Sequence, residues 1–76
     1  MKLYEFLNIP EQEQYQSVWK KGTHLENVTV GNEVYQLYAI NDFFVEVIYD
    51  IASNSITGKN QFKYSPALDK YINRHG

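Results

Sequence analysis

The strongest strand pattern in the chain is Phe-Phe-Val-Glu-Val-Ile-Tyr-Asp at residues 43 to 50. One set of alternating side chains is entirely apolar or aromatic: Phe43, Val45, Val47 and Tyr49. Successive side chains of a strand point to opposite faces, so this set predicts the face that packs on the core. The other set contains Phe44 and Ile48 beside two carboxylates, which predicts that the second face is partly apolar as well.

Three more strand-like runs can pair with this stretch, because short turn signals separate them. The turn signals are Gly31-Asn32, Asn41-Asp42 and Ser53-Asn54-Ser55. The four runs in chain order are Thr23 to Val30, Val34 to Ile40, Phe43 to Asp50 and Ile56 to Lys63. Parallel strands would need much longer connections, so we expect a four-stranded antiparallel meander.

A helix is expected before the first strand, from the start signal Asn8-Ile9-Pro10 to the stop at Gly22. The residues at helical spacing on its apolar side are Tyr15, Val18 and Trp19. The residues expected to face water are Gln12, Gln14 and Gln16. We expect Trp19 to be largely buried near Val45 and Val47, so that it anchors the helix on the sheet.

Further helical signals lie near the two ends of the chain. One short turn has apolar residues at helical spacing: Leu3, Phe6 and Leu7. A final helix is expected after Ser65-Pro66, with an apolar face formed by Leu68, Tyr71 and Ile72. Helices before and after four strands predict an α+β fold, a two-layer sandwich in which the N-terminal and C-terminal helices pack on one face of the sheet.

The composition fits one small globular domain spanning residues 1–76, because 76 residues are too few for two hydrophobic cores. Hydrophobic residues make up 43% of the chain, well above the composition of a disordered segment. The absence of cysteine excludes disulfides, thiolate metal sites and cysteine nucleophiles. No apolar run approaches the roughly 18 residues of a membrane span, and Glu5 and Pro10 interrupt any secretory signal. We therefore expect a cytoplasmic protein with no membrane partner.

The register of the second strand depends on the length of the turn at Asn41-Asp42. A two-residue turn puts Ile40, Tyr38 and Gln36 on the core side. A three-residue turn puts Ala39, Leu37 and Tyr35 there instead. The set with Leu37 and Tyr35 is less polar than the set with Tyr38 and Gln36. Asn or Asp can also adopt the left-handed conformation that the longer turn requires. The three-residue turn is therefore the favoured interpretation, and the two-residue turn remains the alternative.

In the favoured register an apolar and aromatic strip lies on the face away from the helices. Helices packed on one side of a sheet cannot cover its other side, so this strip meets water unless loops or the first residues fold over it. Exposed apolar patches on small domains usually mark interfaces. The residues of this predicted interaction face are Tyr38, Ile40, Phe44, Glu46 and Ile48.

Catalytic chemistry is not expected from the polar residues of the chain. The two histidines are His24 and His75, and the second is the penultimate residue. His24 and Glu26 lie two apart on a strand and could begin a metal site, but no third ligand has a defined place near them. The serines lack a recognisable partner motif and the four glycines are scattered. We therefore expect no enzyme, no cofactor and no metal.

Nucleic-acid binding is not expected either, because positive charge is missing from the middle of the chain. No Lys or Arg occurs between Gly22 and Gly58, where five acidic residues occur, and these acids would repel a phosphate backbone. The later Lys59 and Lys63 are expected to pair diagonally with Glu46 on the neighbouring strand. A basic tail that binds a partner is the alternative.

Four segments resemble a group of short uncharacterised bacterial proteins, usually called hypothetical, that share an xVWxxGTxL segment and an FYVEVxY strand. The segments are Gln14-Tyr15-Gln16-Ser17-Val18-Trp19, Gly22-Thr23-His24-Leu25, Tyr35-Gln36-Leu37-Tyr38 and Phe43-Phe44-Val45-Glu46-Val47-Ile48-Tyr49. The resemblance implies a small bacterial stand-alone protein and assigns no activity and no functional residue.

These observations predict a small intracellular protein-binding module: an adaptor, regulator or inhibitor of another protein, or a homodimer formed through the predicted interaction face. The alternative is a binder of a small ligand or of single-stranded nucleic acid. A closed pocket would favour a small ligand, whereas a flat apolar surface would favour a protein partner.

Overall fold

The computed structural model describes residues 1–64 together with Leu68 and Tyr71. Two short helices, α1 (Leu3–Leu7) and α2 (Glu11–Lys21), precede the sheet. The strands are β1 (Thr23–Val30), β2 (Glu33–Ile40), β3 (Phe43–Asp50) and β4 (Ser55–Phe62). They form one antiparallel sheet in the order β1-β2-β3-β4. The predicted α+β class and the four-stranded meander are confirmed, and no helix in the described part of the chain is long and apolar enough to cross a membrane.

Helix α2 begins directly after Pro10, whose φ of −59° already matches the helical backbone. Acidic residues occupy its first turn and lysines its last turn, which complements the helix dipole at both ends. Asn8 ends α1 instead of capping α2. The side chain of Gln14, expected to face water, is buried and donates hydrogen bonds to the backbone carbonyls of Phe6 at 2.9 Å and Ile9 at 3.2 Å. Gln14 therefore ties α2 to the end of α1.

The turn between β2 and β3 has two residues, so the favoured three-residue turn is wrong. Ile40 pairs with Phe43, and Tyr38 pairs with Val45. Asn41 adopts a left-handed conformation with φ of 54°, which two-residue hairpin turns use to match the twist of their strands. The left-handed residue predicted for the longer turn is thus accommodated in the shorter one. Ile40, Tyr38 and Gln36 consequently share a face with Phe43 and Val45.

Replacing Asn41 with Val is expected to destabilise the protein by about 1 to 2 kcal/mol, because a β-branched residue strongly disfavours positive φ. Asn41→Gly is the matched control and should retain or slightly exceed the wild-type stability. Urea unfolding followed by circular dichroism measures both variants. Equal midpoints for the Val and Gly proteins would show that this turn does not need the left-handed conformation.

The core lies between the sheet and the two helices, on the side called the inner face below. Its buried side chains form one cluster: Phe6, Val18, Ile40, Phe43, Val45 and Val47. The rings of Phe6 and Phe43 lie 5.4 Å apart between centroids. Each helix contributes one fully buried residue to this cluster, Phe6 from α1 and Val18 from α2.

The opposite side of the sheet, called the outer face below, also has buried residues at its centre. Leu37 and Glu46 are paired across β2 and β3 and are almost completely buried. The hydroxyl of Tyr71 donates a 2.8 Å hydrogen bond to Glu46 Oε2. Tyr71 therefore contacts the face away from α1 and α2, contrary to the expectation that its apolar partners lie on the helix-covered side. Apart from Leu68, the rest of the predicted final helix, including Ser65-Pro66 and Ile72, lies outside the described residues.

Candidate binding site

The five residues of the predicted interaction face do not lie on one side of the sheet. Tyr38 and Ile40 point to the inner face, because the two-residue turn reverses the faces of β2 relative to the favoured register. Phe44, Glu46 and Ile48 remain on the outer face. The surface proposed from the sequence is therefore divided between the core side and the side that Tyr71 contacts.

Glu46 is a structural residue within this divided set, since its side chain is only 1% exposed. Its carboxylate accepts hydrogen bonds from the Tyr71 hydroxyl at 2.8 Å and from Asn60 Nδ2 at 3.1 Å. The predicted pairing of Glu46 with Lys59 and Lys63 is wrong. Lys59 pairs with Val47 in the ladder and so points to the inner face, and Lys63 Nζ lies 3.4 Å from an exposed Asp42 carboxylate.

Two tyrosines of the outer face interact with carboxylates. Burial is the main cause that raises the pKa of Tyr71, and the hydrogen bond and negative charge of Glu46 raise it further. Tyr35 donates a 2.9 Å hydrogen bond to Glu33, and this bond is the main cause that raises the pKa of Tyr35. Both phenols are held in their protonated, hydrogen-bond-donating form.

The inner face carries a row of four aromatic rings that crosses from α2 to β1. The rings of Tyr15 and Trp19 stack at 6.4 Å, and Trp19 meets Tyr38 edge-on at 5.6 Å. Tyr38 in turn meets His24 at 5.2 Å. Burial raises the pKa of Tyr38, in the middle of this row. The row holds the indole of Trp19 between two other rings.

Trp19 is 48% exposed, so the prediction that it is largely buried near Val45 and Val47 is wrong. The register of β2 explains the difference, because it places the ring of Tyr38 on the inner face beneath Trp19. Trp19 thus rests on another aromatic ring instead of on the small side chains of β3. It presents the remaining half of its surface to solvent.

A groove of about 270 Å³ lies beside Trp19, between α2 and the beginning of β4. One wall is a stripe of α2 whose residues are four positions apart: Glu11, Tyr15 and Trp19. The other wall is a short part of β4: Ile56, Thr57 and Gly58. Ile56 is 44% exposed, so each wall offers one large apolar side chain. In the described part of the chain β4 is an edge strand, and the groove runs along it.

The electrostatic environment of the groove is set by Glu11 and Lys59. Burial is the larger cause that raises the pKa of Tyr15, and the negative charge of Glu11, one helical turn away, adds to it. Lys59 Nζ lies 5.2 Å from the Tyr15 ring centroid and 5.8 Å from that of Phe6. Its ammonium group therefore lies within cation–π distance of two aromatic rings, of which Tyr15 lines the groove.

The two residues considered for a metal site point in different directions. A bulge shifts the register between His24 and Glu26, so His24 pairs with Tyr38 of the inner face and Glu26 with Leu37 of the outer face. His24 Nε2 instead lies 2.6 Å from Asn27 Oδ1. Among the described residues, no group of three or more His, Asp or Glu is arranged to hold a metal ion.

Comparison with protein-family models, with curated proteins and with solved structures finds no match to this chain. The groove is thus interpreted from its own geometry. Sequence reasoning had identified Tyr15 and Trp19 as one stripe of α2, and Glu11 continues that stripe by one turn. It had not identified Ile56 as their neighbour, because nothing local links β4 to α2.

Proposed function

We propose that this protein is a small non-enzymatic binding module that holds a segment of another protein in the groove between α2 and β4. The observation that carries the proposal is the half-exposed Trp19, which is held in place by Tyr15 and Tyr38. Tryptophan is among the residues most enriched at the energetic centres of protein interfaces. Because neighbouring rings already position this indole, Trp19 loses little side-chain entropy when a partner packs on it.

A protein segment is the occupant that suits the groove best. Its volume of about 270 Å³ lies just below the roughly 300 to 1,000 Å³ of pockets that enclose small ligands. A segment lying across the groove needs to insert only one or two side chains, with Trp19 and Ile56 as apolar contacts. Edge strands such as β4 also present backbone groups that an extended segment can pair with. The proposed role is that of an intracellular adaptor, regulator or inhibitor.

Trp19→Ala is expected to weaken binding of peptides selected on the wild-type protein about thirtyfold, the loss typical of an interface hot spot. The peptides come from a displayed random library, and affinities are measured by calorimetry. Leu25→Ala is the matched control, because Leu25 is also 48% exposed but lies on β1, away from the groove. Ile56→Ser tests the opposite wall without touching α2.

Folding of each variant is checked by circular dichroism, so that lost binding is not confused with unfolding. Ile56→Ser is expected to remain folded, since Ile56 is 44% exposed and is not part of the buried core cluster, and it keeps the test valid if Trp19→Ala is unstable. Peptides that bind both groove variants as tightly as wild type would place the binding surface elsewhere. If no peptide is selected and the protein self-associates in sedimentation, the proposal is replaced by a homodimer. If no peptide is selected and the protein binds single-stranded RNA, it is replaced by nucleic-acid binding.

A further inference from the structure

The residues beside Trp19 indicate which side chain of the partner the groove accepts, and this inference rests on the proposed function. We infer that the partner segment places an Arg or Lys side chain between the Glu11 carboxylate and the stacked rings of Tyr15 and Trp19. The groove is then a site for an organic cation carried by a peptide, with Ile56 and Trp19 contacting the apolar part of the same segment.

The geometry of α2 brings a carboxylate and two aromatic rings onto one stripe. Glu11, Tyr15 and Trp19 are four residues apart, so they lie on successive turns and all three line the groove. The planes of the two rings are inclined by only 27°, so they form one continuous aromatic wall. Aromatic faces attract ammonium and guanidinium groups within about 6 Å, and a carboxylate adds a charged hydrogen-bond acceptor.

One ring of this wall, that of Tyr15, already has a cation of the protein beside it. Lys59 Nζ lies 5.2 Å from the centroid of the Tyr15 ring, on a side chain that is partly buried. A second cation is repelled by Lys59 but attracted by Glu11, and Glu11 is the one that lines the groove itself. In the described part of the chain no Lys or Arg forms a salt bridge with Glu11. Glu11 is also exposed, so its carboxylate meets solvent at the groove.

The test compares a selected peptide with a version in which one Arg is replaced by citrulline, which has nearly the same shape without the charge. Trp19 is the only tryptophan of the chain, so its fluorescence reports binding at the groove. The citrulline peptide is expected to bind about fivefold more weakly, the combined effect of an exposed ion pair and a cation–π contact. In the Glu11→Gln protein the part of this difference that is due to the ion pair should disappear, and only the cation–π part should remain.

Glu13→Gln is the control, because Glu13 is an exposed carboxylate of the same helix that does not line the groove. It should retain the full preference for Arg. The inference would be overturned by selected peptides that lack Arg and Lys, or by an unchanged preference for Arg over citrulline in Glu11→Gln. Loss of binding in Trp19→Ala would still support the proposed function. Retained binding in both Trp19→Ala and Ile56→Ser would overturn both this inference and the proposed function.

Discussion

The Phe6→Ala protein is expected to lose about 3 to 5 kcal/mol of unfolding free energy. A domain of 76 residues has only about 4 to 11 kcal/mol in total, so this variant should be largely unfolded in mild urea. Phe6 is completely buried, and its ring packs on Phe43 at 5.4 Å and on the Lys59 ammonium group at 5.8 Å. Helix α1 has five residues and cannot persist without this contact. Urea unfolding followed by circular dichroism gives the measurement.

Leu7→Ala provides the comparison, because Leu7 neighbours Phe6 on α1 but is 51% exposed. Its unfolding free energy should change by no more than about 0.5 kcal/mol. Similar urea midpoints for the Phe6 and Leu7 variants would show that α1 is not part of the cooperative core.

The Tyr71→Phe protein is expected to lose about 1 to 3 kcal/mol at neutral pH, since the buried Glu46 carboxylate loses a hydrogen-bond donor. The loss should depend on pH. The pKa of Tyr71 is raised above its ordinary value of about 10, chiefly by burial and then by Glu46, so the folded protein favours the protonated phenol. Its stabilising contribution is therefore fully present below about pH 10 and disappears as the pH rises above that value.

Urea midpoints measured from about pH 8 to about pH 11 should fall more steeply for the wild type than for Tyr71→Phe. Some decline should persist in the variant, because the pKa values of Tyr15, Tyr35 and Tyr38 are also raised. Tyr64→Phe is the control, since Tyr64 is 77% exposed and should leave the wild-type slope unchanged. Identical alkaline slopes for the wild type and Tyr71→Phe would contradict the role assigned to this phenol.

Local signals in the sequence were sufficient for the elements of the described fold. The predicted strand Phe43 to Asp50 matches β3, and the predicted strand Ile56 to Lys63 differs from β4 by one residue at each end. Proline and carboxylates at the start of α2 and lysines at its end act within one helical turn, so they can be recognised from the sequence. Turn residues likewise act between neighbouring strands, which is why the meander could be predicted.

Only one wall of the candidate site could be predicted from the sequence. The spacing of Tyr15 and Trp19 revealed one wall of the groove, but the exposure of Trp19 depends on the ring of Tyr38 beneath it. That ring is on the inner face only in the two-residue register. Ile56 reaches the same groove through the order of the strands, and its distance from α2 in the sequence gave no sign of this.

The sequence by itself determined the kind, number and order of the helices and strands up to β4, because propensities, caps and turn residues act over a few neighbouring positions. Only the tertiary structure decided which side chains of β2 are buried, since a change of one residue in the turn exchanges the two faces of a strand. It also decided the role of Glu46. A carboxylate on a strand usually faces water, and this one is buried because Tyr71, 25 residues later, supplies a hydrogen bond that offsets its desolvation.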